Sequence, residues 1–443
     1  MSKPIIIDKK IDGFKKKIFV SGDKSLSIRW ALLASQATGR SRAFNLLKSE
    51  DVFNTLKSLK KLGVKVTTNK NYTEIVGNWI NSFNYKKNII LDAGNSGTLG
   101  RLILALLIKS PNKVKVTGDE SLKKRDFSRV INPLKEFGAN FYPINKIRLP
   151  IFIYGSNFIR PINFFENKGS AQCKSSVMLA ALNSEGKTII KARKSRDHTE
   201  LLFKFLKIPI KIKKTNNFDF IEILGKKNFK SFNYNIPSDI SSSAFFIVLT
   251  LLAKNSSLII KNVNINPSRT GSIKILNKMG AKIKFKNIKT YRGEKIADIY
   301  VKSVKYLKAI NCPSKFNSSA IDEFLIIFIA AAKAKGTSYF KNLSELNQKE
   351  SPRLILGNKL LNKLGIKTFM NKDSIKIYGN PNHRFNKKIE IKNFLKDHRI
   401  FMTTTIASLA LGGNWKIYST DSFQTSFPSF IKILKNLGAK IKE

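Results

Sequence analysis

Five times along this 443-residue chain a helix-like stretch runs into a glycine and then into an alternating strand-like stretch. The phrases are KLGVKV around Gly63, EFGANF around Gly138, KMGAKI around Gly280, KLGIKT around Gly365 and NLGAKI around Gly438. A degenerate sixth, FLKIPI, puts Lys207 in the glycine slot, and the successive spacings are then 75, 69, 73, 85 and 73 residues. Regularity on this scale marks a repeated supersecondary unit, because a common dipeptide placed by chance has no period. The glycine takes the left-handed conformation that closes a helix. Alternation such as Ala281, Lys282, Ile283, Lys284 and Phe285 is then expected to begin a half-buried strand.

A second period runs independently of the first. Each unit holds an apolar helix entered through small polar or charged residues: Lys24-Ser25-Leu26-Ser27, Asn95-Ser96-Gly97-Thr98, Ser170-Ala171-Gln172, Asp239-Ile240-Ser241-Ser242-Ser243, Ile321-Asp322-Glu323 and Asp397-His398-Arg399. From Ser25 through Ser96, Ser170, Ser241 and Asp322 to Asp397 the steps are 71, 74, 71, 81 and 75 residues. Stretches such as Ala244 to Ala253 and Phe324 to Ala332 are apolar on nearly every side and are expected to be buried. N-capping alone explains a polar residue at any one helix start. Six in register, on helices packed side by side, would aim several N-termini at one place. Each contributes about 0.3 to 1 kcal/mol toward an anion.

Length points to two domains of roughly 200 residues each. The longest unbroken apolar run, Phe324 to Ala332, is nine residues, well short of the roughly 18 to 20 a membrane helix needs. The N-terminal residues carry neither a signal-peptide apolar core nor a transit-peptide composition, so a cytoplasmic protein is expected. Two cysteines, Cys173 and Cys312, and histidines at 198, 383 and 398 show no metal-ligand spacing, and neither disulfide nor zinc is expected. The formal charge of +52 suggests nucleic acid as a partner. Against that, lysine is spread through almost every segment and no nucleic-acid-binding motif stands out; a basic surface also steers small anionic metabolites.

The motifs as a set resemble the 3-phosphoshikimate 1-carboxyvinyltransferase (EPSP synthase) family, one of the enolpyruvyl transferases. The resemblance spans essentially the whole chain. It rests on SGDKSLSIRWALLAS (21 to 35), GNSGTLGR (94 to 101), GDESLKKR (118 to 125), GSAQCKSS (169 to 176), RDHTE (196 to 200), NPSRTG (266 to 271), IDEF (321 to 324), KESPR (349 to 353), DHR (397 to 399) and TSFP (425 to 428), in that order. It implies an α/β fold, a two-domain inside-out α/β barrel of six βαβαββ repeats, three per domain. One domain would be discontinuous, residues 1–20 plus 238–443, the other inserted, residues 21–237, with the active site in the cleft between them. A monomer acting on phosphoenolpyruvate and shikimate 3-phosphate, without metal or organic cofactor, is implied as well.

Carried over motif by motif, the resemblance implies a phosphoenolpyruvate clamp of Lys24, Arg125, Arg353 and Arg399, with Gly97 allowing close backbone approach and Gln172 donating its amide. Arginine forks suit the planar oxygens of carboxylate and phosphate. For shikimate 3-phosphate it implies Lys24, Ser25, Arg29, Ser170, Ala171, Gln172, Arg196, Asp322 and Lys349; Ser25 and Arg29, four apart, share a helix face. Asp322 is expected either to accept the proton of the 5-hydroxyl or merely to cap its helix. The donor to the methylene carbon is expected to be Glu350 or Lys24, and His398 either a proton relay or a polar neighbour.

Three departures stand out. Asp126 follows Arg125 where the family usually has proline, Asn347 stands where an arginine is common, and Pro352 replaces the usual aspartate after KES. Asp126 is expected to weaken the clamp, and Pro352 to sit at the first position of a helix. SAQxKS, RDHTE and TSFP are similar to a subset that includes glyphosate-tolerant members, yet Gly97 lacks the methyl found in some of them, which leans toward sensitivity. A UDP-N-acetylglucosamine enolpyruvyl transferase would show Lys-Asn at Lys24-Ser25 and a cysteine-bearing glycine-rich loop. A terminal-phosphate cyclase would carry a nucleophilic histidine near the C-terminus, where this chain has His398 within DHR.

Overall fold

The computed structural model describes residues 3–392 and 394–443. The chain divides into two compact units. The first comprises Gly22–Ile236 with Tyr291–Glu294; the second comprises the stretch up to Ser21, Pro237–Thr290 and Lys295–Glu443.

Both units are α/β and built on repeated βαβ elements. Among the described residues there are six sheets, five of four strands and one of three. In the first unit, Ile90–Asp92 leads into the helix Gly97–Leu106 and then Val114–Thr117, which lies parallel to Ile90–Asp92. Asn163–Glu166, the helix Ala171–Ala181 and Lys187–Arg193 repeat the pattern. The second unit has it twice: Leu307–Lys308, helix Phe324–Ala332 and Ala334–Phe340, then Lys388–Ile391, helix His398–Leu411 and Asn414–Ile417. The remaining two sheets take their parallel neighbour from far along the chain. Lys15–Phe19 lies beside Ser257–Asn264, and Tyr234–Asn235 beside Thr38–Phe44. These short strands flank the points where the chain leaves one unit for the other.

Each unit has its own hydrophobic core, and each core is threaded by three helices. In the first unit these are Lys24–Ala34, Gly97–Leu106 and Ala171–Ala181; the Gly97 helix packs on both of the others. In the second they are Ile240–Leu252, Phe324–Ala332 and His398–Leu411, each packed on the other two. All nine residues of the Phe324 helix are buried. A helix apolar all round has nowhere else to go. Among the described residues no helix is long and apolar enough to cross a membrane.

The slots at the helix ends behave as their physics requires. Gly63, Gly138, Gly280, Gly365 and Gly438 have φ of +84°, +116°, +91°, +71° and +101°, and Lys207, in the degenerate copy, is forced to +57°. Two expectations need correction. After Gly280 the burial alternates as expected through Ala281 and Ile283, but the paired strand begins only at Lys284 and is exposed along nearly all its length rather than half-buried. The helix expected over Ala244 to Ala253 starts at Ile240, because Asp239 caps it and draws Ser241, Ser242 and Ser243 into its buried first turns.

Two glycine substitutions separate backbone strain from crowding. A Cβ at Gly280 would meet nothing within 4 Å, whereas one at Gly63 would lie 1.9 Å from the carbonyl oxygen of Asn84. Gly280→Ala should therefore cost about 1 to 2 kcal/mol, the left-handed penalty alone. Gly63→Ala should cost clearly more, read as a lower urea midpoint than that of Gly280→Ala.

Candidate functional site

In the first unit the polar residues of three buried helices meet at one level. Asp23, Ser96 and Ser170 cap the Lys24, Gly97 and Ala171 helices, their side chains accepting from the backbone amides of Leu26, Leu99 and Cys173. Gln172, in the first turn of its helix, donates from Nε2 to Thr98 Oγ1 at 3.0 Å in the first turn of the Gly97 helix. Its Oε1 accepts from Arg101 Nη1 at 2.8 Å. One turn deeper, buried Arg29 donates through Nε to Thr199 Oγ1 at 2.9 Å and through Nη2 to Ser175 Oγ at 3.0 Å, tying the Lys24 helix to the Ala171 helix. The three helices therefore point the same way.

Over this end lie cations. Arg125 donates to Asn95 Oδ1 at 2.5 Å, and Asn95 donates to Asp119 Oδ2 at 2.6 Å. A Cβ on Gly97 would lie 2.8 Å from Arg101 Nη1 and 2.9 Å from Arg125 Nη1, so two guanidinium groups close over the bare glycine backbone. Lys24 Nζ is 3.0 Å from Asp51 Oδ2. Helix N-termini and clustered guanidinium groups together form an anion-binding environment.

The second unit builds a different device from the same three-helix frame. Asp239 caps the Ile240 helix, and Asp397 caps the His398 helix by accepting from the Arg399 amide at 2.8 Å. Ser241 Oγ donates to Glu323, and Arg399 Nη1 donates to the Asp322 carbonyl at 2.9 Å, so both neighbouring helices join the start of the Phe324 helix. Arg353, only 1% exposed, is the hub. It donates from Nε to Asp397 Oδ2 at 2.9 Å, contacts Asp322 Oδ1 from Nη1 at 3.4 Å, and pairs with Glu350 through Nη2. Lys349 Nζ stands 3.9 Å from Asp322 Oδ1. Burial alone would lower the Arg353 pKa, but Asp397, Glu350 and Asp322 outweigh it and raise it, so the guanidinium stays charged. For Asp397, burial pushes upward, but the charge and hydrogen bond of Arg353 together with the neighbouring His398 outweigh it, holding the carboxyl below its ordinary range.

The expected site residues thus fall into two sets. Within the first unit Gly97, Arg125, Ser170, Ala171 and Gln172 come together at the helix ends, with Lys24, Ser25 and Arg29 on the neighbouring Lys24 helix. Arg196 lies half-buried in the turn before the helix His198–Phe205. Within the second unit Asp322, Lys349, Glu350, Arg353 and Arg399 form one connected cluster.

Several local expectations are corrected. Ser25 does not mark the start of its helix: Asp23 is the cap, and the Ser25 carbonyl accepts from Arg29 Nη1. Asp322 is not a helix cap, because the helix begins at Phe324 and its N-cap position is Glu323, whose side chain is engaged by Ser241. Pro352 occupies the N-cap position of the helix Arg353–Lys363 rather than its first turn. The exposed Asp126 carboxylate accepts from the Ser128 amide at 2.6 Å, which turns it into the next helix.

Sequence reasoning passed over Arg101, Asp51, Arg269 and the anchoring role of Asp397. Arg101 had a signal, four residues after Gly97 and therefore on its helix face. Arg269 closes a second buried network, donating to Ser241 Oγ at 2.8 Å beside Asp239, and its NPSRTG string was visible. Asp51 had none, since only folding brings it to Lys24. Among the described residues no group of three or more His, Cys, Asp or Glu is placed to hold a metal ion.

The profile of the family described as EPSP synthase (3-phosphoshikimate 1-carboxyvinyltransferase) matches residues 9–434. The chain is 39% identical over 424 residues to the 3-phosphoshikimate 1-carboxyvinyltransferase of Vesicomyosocius okutanii, covering 95% of each chain. It is 37% identical over 440 residues to that of Caldicellulosiruptor saccharolyticus, covering 98% of this chain and 99% of the relative. Among solved structures, an EPSP synthase from Acinetobacter baumannii superposes with a TM-score of 0.87 at 33% identity, covering 100% of this chain and 99% of the other. The enolpyruvyl transferase NikO from Streptomyces tendae shares the fold at 14% identity, with a TM-score of 0.79 over 99% of this chain and 98% of the other.

Asp397→Asn should cost about 3 to 5 kcal/mol at neutral pH, because it leaves Arg353 buried without its main counter-charge. Since the folded-state pKa of Asp397 is depressed below 3.8, its contribution is present above the unfolded value and is lost as pH falls through the folded one. The stability difference between wild type and Asp397→Asn should shrink below about pH 4, measured by urea unfolding at stepped pH.

Proposed function

Because this chain belongs to the EPSP synthase (3-phosphoshikimate 1-carboxyvinyltransferase) family, we propose that it transfers the enolpyruvyl group of phosphoenolpyruvate to the 5-hydroxyl of shikimate 3-phosphate, with release of phosphate. The observation that carries this reading is the cluster in which Asp322 and Glu350 stand against the buried Arg353 guanidinium and Lys349 faces Asp322. Carboxylates and an ammonium group beside a fixed guanidinium charge support a reaction that moves protons and must neutralise phosphate and carboxylate.

The balance of atoms sets the requirements. The 5-hydroxyl loses its proton and its oxygen bonds to the central carbon of phosphoenolpyruvate while the methylene carbon gains a proton. The carbon–oxygen bond to phosphate then breaks, the carbon returns a proton, and the double bond reforms. No electrons leave or enter, so the step needs general acid–base groups and neutralisation of phosphate and carboxylate charge. In this reading Asp322 accepts the hydroxyl proton, and Glu350 or Lys24 serves the methylene carbon. Lys24, Arg125, Arg353, Arg399, Gln172 and the Gly97 backbone bind phosphoenolpyruvate. Lys24, Ser25, Arg29, Ser170, Ala171, Gln172, Arg196, Asp322 and Lys349 bind shikimate 3-phosphate. The two sets would act on one substrate pair, and closure on binding the phosphorylated acceptor would exclude water. The inside-out barrel of six βαβαββ repeats, and a monomeric cytoplasmic enzyme, belong to the same proposal; the six sheets support the repeat count.

Phosphate release on mixing the protein with both substrates, with UDP-N-acetylglucosamine as control acceptor, tests the reaction; release only with the nucleotide sugar, or with neither, overturns it. Asp322→Asn should lower kcat about 100-fold or more while the protein melts normally. Unchanged turnover would remove Asp322 from the chemistry. Gly97→Ala inserts a methyl against the far ends of Arg101 and Arg125. It should raise KM for phosphoenolpyruvate about tenfold, as expected when a charged hydrogen bond is displaced, with little loss of stability.

A further inference from the structure

The helix Arg353–Lys363 has the least favourable start of those that carry the candidate site. Its N-cap is Pro352, which offers no side-chain acceptor, and no acidic residue lies in its first turn. Its first residue is a buried arginine, whose positive charge opposes the helix dipole at that end. The Lys24, Gly97, Ala171, Ile240 and His398 helices all receive a side-chain cap from Asp or Ser. Here the acceptor comes from five residues before the N-cap. Asn347 Oδ1 accepts from the Leu354 amide at 3.0 Å and the Ile355 amide at 3.4 Å, the two amides a local cap side chain would satisfy. Asn347 sits in the short turn Ser344–Gln348, and Lys349 and Glu350 lie in the chain between that turn and the helix.

We propose that Asn347 is a positioning residue that caps the Arg353 helix from outside and thereby holds Arg353, and with it the Asp322 and Glu350 carboxylates, in register for phosphoenolpyruvate. In its kinetic consequence this rests on the reaction proposed above; in its geometry it does not. Losing the cap frees the first turn to fray, and Arg353, the residue at that end, loses the fixed backbone from which it reaches Asp397, Asp322 and Glu350. Small displacements of a binding group carry large kinetic penalties.

A double-mutant cycle between Asn347→Ala and Pro352→Ser decides it. Serine at the N-cap position supplies the missing acceptor locally, so the two positions must be coupled. In Asn347→Ala, backbone exchange at Leu354 and Ile355 and side-chain exchange at the Arg353 Nε–H should accelerate about fivefold to tenfold, as for loss of a cap. KM for phosphoenolpyruvate should rise by about the same factor. Asn347→Asp should keep the wild-type values, and Pro352→Ser should restore most of what Asn347→Ala loses. Unchanged exchange in Asn347→Ala, or a double variant as impaired as the single one, overturns the proposal. If the wild type releases no phosphate, the reaction is wrong and the exchange measurements still decide the positioning. If Asn347→Ala fails to fold, recovery of a folded, protected helix in the Pro352→Ser background supports the coupling, and failure there too overturns it.

Discussion

A helix buried on every side can meet a ligand only with its end. That constraint shapes both units of this protein, because each core is threaded by three such helices. Side-chain bonds between first turns, Gln172 to Thr98 in one unit and Ser241 to Glu323 in the other, show that the polar ends are gathered rather than scattered. The apolar flanks fix the direction and spacing of the helices. What remains at their ends is the capped first turn and the positive end of each dipole.

The two units finish that frame differently. In the first, guanidinium groups from Arg101 and Arg125 crowd over Gly97, and Arg29 is locked below by hydroxyls of Ser175 and Thr199. A second tie, the fully buried Lys174 at 2.5 Å from Glu200, joins the Ala171 helix to the helix His198–Phe205. In the second unit, carboxylates outnumber the guanidinium they surround, and Asp397 serves twice, as helix cap and as the counter-charge of Arg353. Buried pairs of this kind repay their desolvation only when both partners are well placed. They are better read as devices for orientation than as sources of stability.

The departures from the family pattern become intelligible at this level. Asp126 does not turn its carboxylate back on the clamp; it is taken up by the Ser128 amide, where a negative group suits the start of a helix. Pro352 offers its helix no side-chain cap, and Asn347, five residues upstream, accepts from the Leu354 amide in its place.

The sequence alone determined the repeats, the helix-closing slots and the buried helices. Left-handed backbone after a helix and an apolar surface on all sides are local demands written in consecutive residues, and even Lys207 obeys the slot it occupies. Most of the candidate site was legible too, because its residues sit in short strings at the starts of those helices. What only tertiary structure decided are the partners. Asp51 beside Lys24, Asp397 beneath Arg353 and Asn347 on the Arg353 helix have meaning through contacts that no periodicity encodes. Asp322 shows the difference most clearly: expected either as a proton acceptor or as a helix cap, it is no cap but a carboxylate held between Lys349 and Arg353. A charge in a sequence has a sign; its counter-charge is chosen when the chain folds.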